Sequence, residues 1–141
     1  MLRAACHCTA VRFELLAAPE WVLDCNCTIC RRYGGLWIYP KPGEVTFVSG
    51  IDATDTYVWN GGGLAFHRCK TCGCVTHMMV VEDPPWLYGI NGRMIPTLDP
   101  GQIRVVQKDN GHTGWFWTRS QSPPQPSRHP KMDPPGPEDW R

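Results

Sequence analysis

No apolar run in this chain of 141 residues approaches the roughly 20 residues that a membrane-spanning helix needs. An excess of charge is also missing. Fourteen Lys and Arg against thirteen Asp and Glu leave a formal net charge of +1, with thiols counted as neutral. That is too weak a field to steer nucleic acid or an anionic membrane onto the protein. The opening Met1-Leu-Arg-Ala-Ala-Cys6-His-Cys8 lacks the apolar core of a secretory leader. The expectation drawn from this is a reducing, cytoplasmic location, where cysteines serve as metal ligands rather than disulfides. No segment holds an apolar period of about 3.6 residues over several turns, which excludes long amphipathic helices. The glycines Gly61-Gly62-Gly63 are followed by no Lys-Ser/Thr and open no helix, so they read as a tight turn and not as a phosphate loop.

What the chain does have is cysteine, eight in all. Cys25-Asn-Cys27-Thr-Ile-Cys30 puts three thiols within six residues. Cys6 and Cys8 near the start, with Cys69 and Cys72 in the middle, add two more pairs at spacings that suit a tetrahedral metal. Thiols this close are poorly placed for unstrained disulfides, which favours chelation. Seven cysteines thus divide into a closed set of four and an open set of three. Four thiolates saturate a zinc ion, whereas three leave a position for water or a substrate atom. The reading is one structural and one reactive Zn²⁺ per chain, the second the more labile. Seven negative thiolates and the four positive charges of two Zn²⁺ would take the net charge from +1 to −2, making nucleic acid a still poorer partner.

Around the cysteines lie short β-rich segments bounded by breakers. Val11, Phe13 and Leu15 alternate with Arg12 and Glu14, the pattern of a half-buried strand, which leaves His7 on the surface of the preceding turn. Trp21–Asp24, Leu36–Tyr39, Glu44–Val48, Thr54–Trp59, Leu64–Arg68, Val75–Val81, Trp86–Ile90 and Gln102–Gln107 are further strand candidates, and Asn60–Gly63 is a hairpin signal. Thr28–Tyr33 holds neither Gly nor Pro and predicts one helical turn stopped by Gly34-Gly35. Gly73 permits the positive φ that a metal knuckle at Cys69–Cys74 requires, and Cys74 is read as a small buried residue starting the next strand. The stretch from Asn91 to Pro100 is long enough to reach over a site. Arg31 and Arg32 are a solvated basic pair or, alternatively, hold an anionic substrate group. His67 shares a strand face with Cys69, which makes it a candidate proton shuttle and catalytic residue. The whole is a mostly β fold of two antiparallel sheets over residues 1–118, whose zinc ties strands distant in sequence. A Pro-rich tail follows over 119–141, holding half of the chain's fourteen prolines.

Cys6-His-Cys8 before a Val-Arg-Phe strand, Cys25-Asn-Cys-Thr-Ile-Cys30-Arg-Arg, and Phe66-His-Arg-Cys69-Lys-Thr-Cys72-Gly73 resemble, in this order, the glutathione-dependent formaldehyde-activating enzymes, a family that includes the centromere protein V group. The resemblance covers roughly residues 4–117. It implies an Mss4-like β-tent, with structural zinc on Cys6, Cys8, Cys69 and Cys72 and a second zinc on Cys25, Cys27 and Cys30. It further implies a carbon–sulfur lyase acting on thiol–aldehyde adducts, glutathione and formaldehyde giving S-hydroxymethylglutathione. Ala5 and Thr9 stand where members of the family often carry glycine, and Cys74 is additional.

Two other classes stay open. A non-enzymatic zinc module would bind a protein through exposed aromatics such as Trp37, Trp59 or Trp86 and would show no turnover. A redox or metal sensor would release zinc on reversible oxidation of Cys25, Cys27, Cys30 or Cys74. Assembly of the chain with copies of itself is also left open.

Overall fold

The computed structural model describes residues 1–59, 63–82, 85 and 88–108. The turn at 60–62, Trp86, the Trp115–Trp117 segment, the boundary at 118 and the Pro-rich segment 119–141 lie outside these residues.

Among the described residues, ten strands form two sheets. The smaller has the order β1–β2–β5, from β1 (Leu2–Ala5), β2 (Arg12–Leu15) and β5 (Val45–Ser49). The larger has the order β10–β3–β4–β9–β8–β7–β6. It comprises β3 (Trp21–Cys25), β4 (Trp37–Ile38), β6 (Thr54–Trp59), β7 (Leu64–Cys69), β8 (Val75–Val80), β9 (Tyr88–Asn91) and β10 (Arg104–Lys108). One helical turn, α1 (Cys30–Tyr33), ends at Gly34 with φ 62°, as its glycine pair predicts.

Two features depart from expectation. β1 carries no mark in the sequence, because Leu-Arg-Ala-Ala is too short and too weakly β-forming to announce a strand. And β10 pairs with β3 in parallel, while the remaining pairings are antiparallel. The long return from β9 to the far edge of the sheet removes the hairpin constraint that enforces antiparallel neighbours.

Period-two alternation gives the larger sheet two unlike faces. Val22, Ile38 and Ile90 face the smaller sheet and form a core with Ala4, Phe13 and Leu15. His77, opposite Ile90 in register, follows them and meets Phe47 of β5 at 4.7 Å. The opposite face carries Cys25, Trp37, Phe66 and Met78, which cluster with Leu23 and Leu64. Gly89 makes room there: a Cβ would sit 2.6 Å from Met78 Cε, its cross-strand partner. Trp37 is fully buried in this cluster, which withdraws it from the exposed aromatics proposed for partner contact, while Trp59 remains 38% exposed.

The stretch after β9 does not arch over a site as anticipated. Asn91 pins its start by donating to Val75 O at 2.8 Å and accepting from Leu36 N and Arg93 N. A 3-10 turn at Gly92–Met94 and the buried Ile95 then tuck it against the core. Arg93 reaches out of it to donate to Gly34 O at the end of α1.

Candidate metal centre and cavity

The four-sulfur cluster is assembled from two turns. Cys6 and Cys8 sit between β1 and β2, where Cys6 N donates to Val11 O and Thr9 N to Cys6 O. This turn forces Thr9 to φ 63°, a left-handed conformation unusual for a β-branched residue. Cys69 and Cys72 come from the β7–β8 turn, where Gly73 adopts φ 76° and its N–H donates to Cys69 O at 2.9 Å. The four sulfurs lie within 4.8 Å of one another. Cys6–Cys8 and Cys8–Cys69 are each separated by 3.6 Å. Tetrahedral zinc with bonds of about 2.3 Å requires sulfurs about 3.8 Å apart, so the donor set fits a closed ion. Backbone N–H groups of Cys74 and then Cys8 donate to the Cys72 sulfur and hold its thiol at about 5, favouring the thiolate that a metal needs. Val11 N donates likewise to Cys6 Sγ at 3.3 Å. Cys74, the additional thiol, packs half-buried against this cluster.

The three-sulfur cluster lies on the other face of the larger sheet. Cys25 ends β3, and the turn into α1 folds Cys30 back over it, with Arg31 N donating to Cys27 O. Cys25, Cys27 and Cys30 sulfurs lie within 4.8 Å of one another. Cys30 N donates to Cys27 Sγ at 3.5 Å. Hydrogen bonds from Cys25, then Cys30, lower the Cys27 thiol to about 2, while Cys25 and then Cys27 push Cys30 up. Three sulfurs sharing protons in this way already favour one thiolate, and the set could hold a metal with a position to spare.

The cluster itself opens on a cavity of about 370 Å³ between α1 and the β6–β7–β8 face, and all three cysteines line it. Among the described residues the rest of its lining is Thr28, Ile29, Tyr39, Trp59, Leu64, Phe66 and Met78. The floor is rigid, since Phe66 packs on Trp37 and Tyr33 with ring centroids 5.8 and 5.4 Å away. Burial, then the neighbouring sulfurs of Cys30, Cys25 and Cys27, push the Tyr39 phenol above its ordinary range, keeping it protonated.

The structure brings together all seven cysteines singled out in the sequence, in the two expected groups, but not His67. Phe66 faces the cavity, so alternation turns His67 to the opposite face, where it stacks on His77 at 4.3 Å and shares a hydrogen bond with Thr54. Burial lowers both imidazoles, His77 to about 3. Of the basic pair, Arg32 donates locally to Thr28 O at 2.8 Å, and Arg31 lies close enough to Cys27 to feel its charge. The hydroxyl-bearing residues of the lining, Thr28 and Tyr39, carry no mark in the sequence, since no local pattern tells which strand face will meet a distant cluster.

These features define a class, the small β domains whose paired cysteine clusters could hold metal. The family model described as glutathione-dependent formaldehyde-activating enzyme matches residues 1–91. The chain therefore belongs to the glutathione-dependent formaldehyde-activating enzyme family. It is 30% identical over 95 residues to a Halomonas elongata protein that provisionally bears the family's name. That match covers 61% of this chain and 59% of the relative's length. A crystal structure of a Rhodobacter sphaeroides protein superposes with a TM-score of 0.61 at 26% identity, covering 74% of this chain and all of that one. Among the described residues, no helix is long and apolar enough to cross a membrane.

Proposed function

We propose that the cavity over Cys25, Cys27 and Cys30 joins a small thiol to an aldehyde, glutathione and formaldehyde giving S-hydroxymethylglutathione, and splits the same carbon–sulfur bond in reverse. The observation that supports it is the asymmetry of the two clusters: the protein closes one with four sulfurs and leaves the other, with three, facing a cavity. In this reading Cys6, Cys8, Cys69 and Cys72 hold a structural Zn²⁺, and Cys25, Cys27 and Cys30 hold a second. Zinc so held, when bound, lowers the pKa of an incoming thiol and supplies thiolate at neutral pH.

The chain's own residues supply position and a proton. As the thiolate sulfur bonds to the carbonyl carbon, the carbonyl oxygen gains the electron pair of its π bond and needs a proton. Tyr39, held neutral by its surroundings, donates that proton from Oη and recovers one from solvent. In the reverse direction Oη passes its own proton to solvent as it takes the one from the adduct hydroxyl, while the C–S bond breaks and its electron pair leaves with the thiolate. Orientation carries much of the remaining rate because thiols add to aldehydes unaided.

The test is zinc per chain by elemental analysis on the native protein and on Cys27→Ser, followed by formaldehyde consumption with glutathione on both. Two zincs falling to one with the fold intact, and accelerated consumption lost with it, is the expected result. Consumption that is no faster than the uncatalysed reaction in a protein carrying two zincs would refute the enzyme.

A further inference from the structure

We infer that, beyond formaldehyde, this site takes and prefers an aldehyde that carries an apolar alkyl or aryl substituent. The inference rests on the reading above, that the site makes and breaks thiol–aldehyde adducts, and it concerns what fills the remainder of the cavity. Formaldehyde brings two heavy atoms to a space of about 370 Å³, a volume that holds a drug-sized ligand.

The chemistry of the wall decides what enters. Beyond the sulfurs it is built from Ile29, Leu64, Phe66 and Met78, with Trp59 at the edge strand. Among the described residues no Asp, Glu, Lys, Arg or His lines it. The two carboxylates and the ammonium of glutathione would lose water there without gaining an ionic partner, so these groups stay outside. Apart from the cysteinyl methylene that carries the sulfur inward, what remains to occupy the apolar space is the substituent on the carbon that bonds to sulfur. The wall is also a built one. Phe66 and Met78 are 2% and 5% exposed, Trp37 and Tyr33 fix the Phe66 ring, and Gly89 leaves the volume that Met78 fills. Thr28 and Tyr39 are the hydroxyl-bearing residues among the described lining, beside the apolar Leu64, Phe66 and Met78. Formaldehyde gains nothing from such a surface, whereas each buried methylene of a longer aldehyde improves binding by up to about fourfold.

The experiment compares S-methylglutathione with S-hexylglutathione, thioethers that cannot react, by titration calorimetry on the zinc-loaded full chain. The hexyl compound should bind at least about tenfold more tightly, and Leu64→Ser should cut that preference severalfold. In parallel, kcat/KM with glutathione should rise along formaldehyde, butanal and hexanal. Equal affinity for the two thioethers, together with turnover of formaldehyde alone, overturns the inference and leaves the underlying reading standing. Hexyl preference without turnover of any aldehyde overturns the reading, and the aldehyde with it.

Discussion

Cys8 and Cys69 are 61 positions apart in sequence, yet their sulfurs lie 3.6 Å apart. An ion on the four-sulfur cluster therefore ties the β1–β2 turn of one sheet to the β7–β8 turn of the other, closing a loop of that length. In the chain-entropy treatment of a cross-link, closing about 60 residues contributes about 4 kcal/mol at 25 °C. The Cys25–Cys30 cluster spans six residues, for which the same treatment gives about 2 kcal/mol as an upper value, since the α1 turn already restrains them. The double variant Cys69→Ser/Cys72→Ser should lose one zinc and about 4 kcal/mol, lowering Tm by about 15 °C in a domain of this size. Cys25→Ser/Cys27→Ser should lose the other zinc and no more than half that stability. Thermal unfolding followed by circular dichroism, with zinc per chain measured on each sample, reads both quantities. An equal or reversed order of Tm losses would refute the reasoning, as would an unchanged Tm in a Cys69/Cys72 variant shown to have lost its zinc.

Thr9→Gly should stabilise the protein by about 0.5–1 kcal/mol: relief of the left-handed strain outweighs the extra freedom glycine brings to the unfolded chain, and urea unfolding would show it. Tyr39→Phe should keep both zincs and the fold yet slow thiol–aldehyde turnover at least about a hundredfold, with KM little changed. His77 is fully buried and its pKa falls to about 3, so the unfolded chain binds a proton that the folded one refuses below the ordinary pKa of 6.5. Its contribution is intact above about pH 6.5 and is lost progressively down to about pH 3. Between pH 7 and 5.5 the native protein should lose about 1 kcal/mol more than His77→Phe in urea unfolding, and identical losses would assign the acid sensitivity elsewhere.

Much of this protein is written locally. Chelation by C-x-C and C-x-x-C depends on neighbouring residues, so the division of seven cysteines into four and three is legible before any fold is known. The same holds for the α1 stop at Gly34, the left-handed Gly73, and the buried face of Val11, Phe13 and Leu15. What the sequence could not announce depends on pairing between distant segments. β1 exists because β2 offers it an edge, and β10 runs parallel because its long return leaves direction free. Alternation placed His67 beside Cys69, but only the packing of the smaller sheet showed that this face looks away from the open cluster. Register across β7, β8 and β9 brought Phe66, Met78 and Gly89 into line behind Cys25, Cys27 and Cys30. A local pattern specifies which atoms can bind a metal, while the cavity that gives the second site its chemistry arises from side chains scattered along the chain, whose meeting is a property of the sheet.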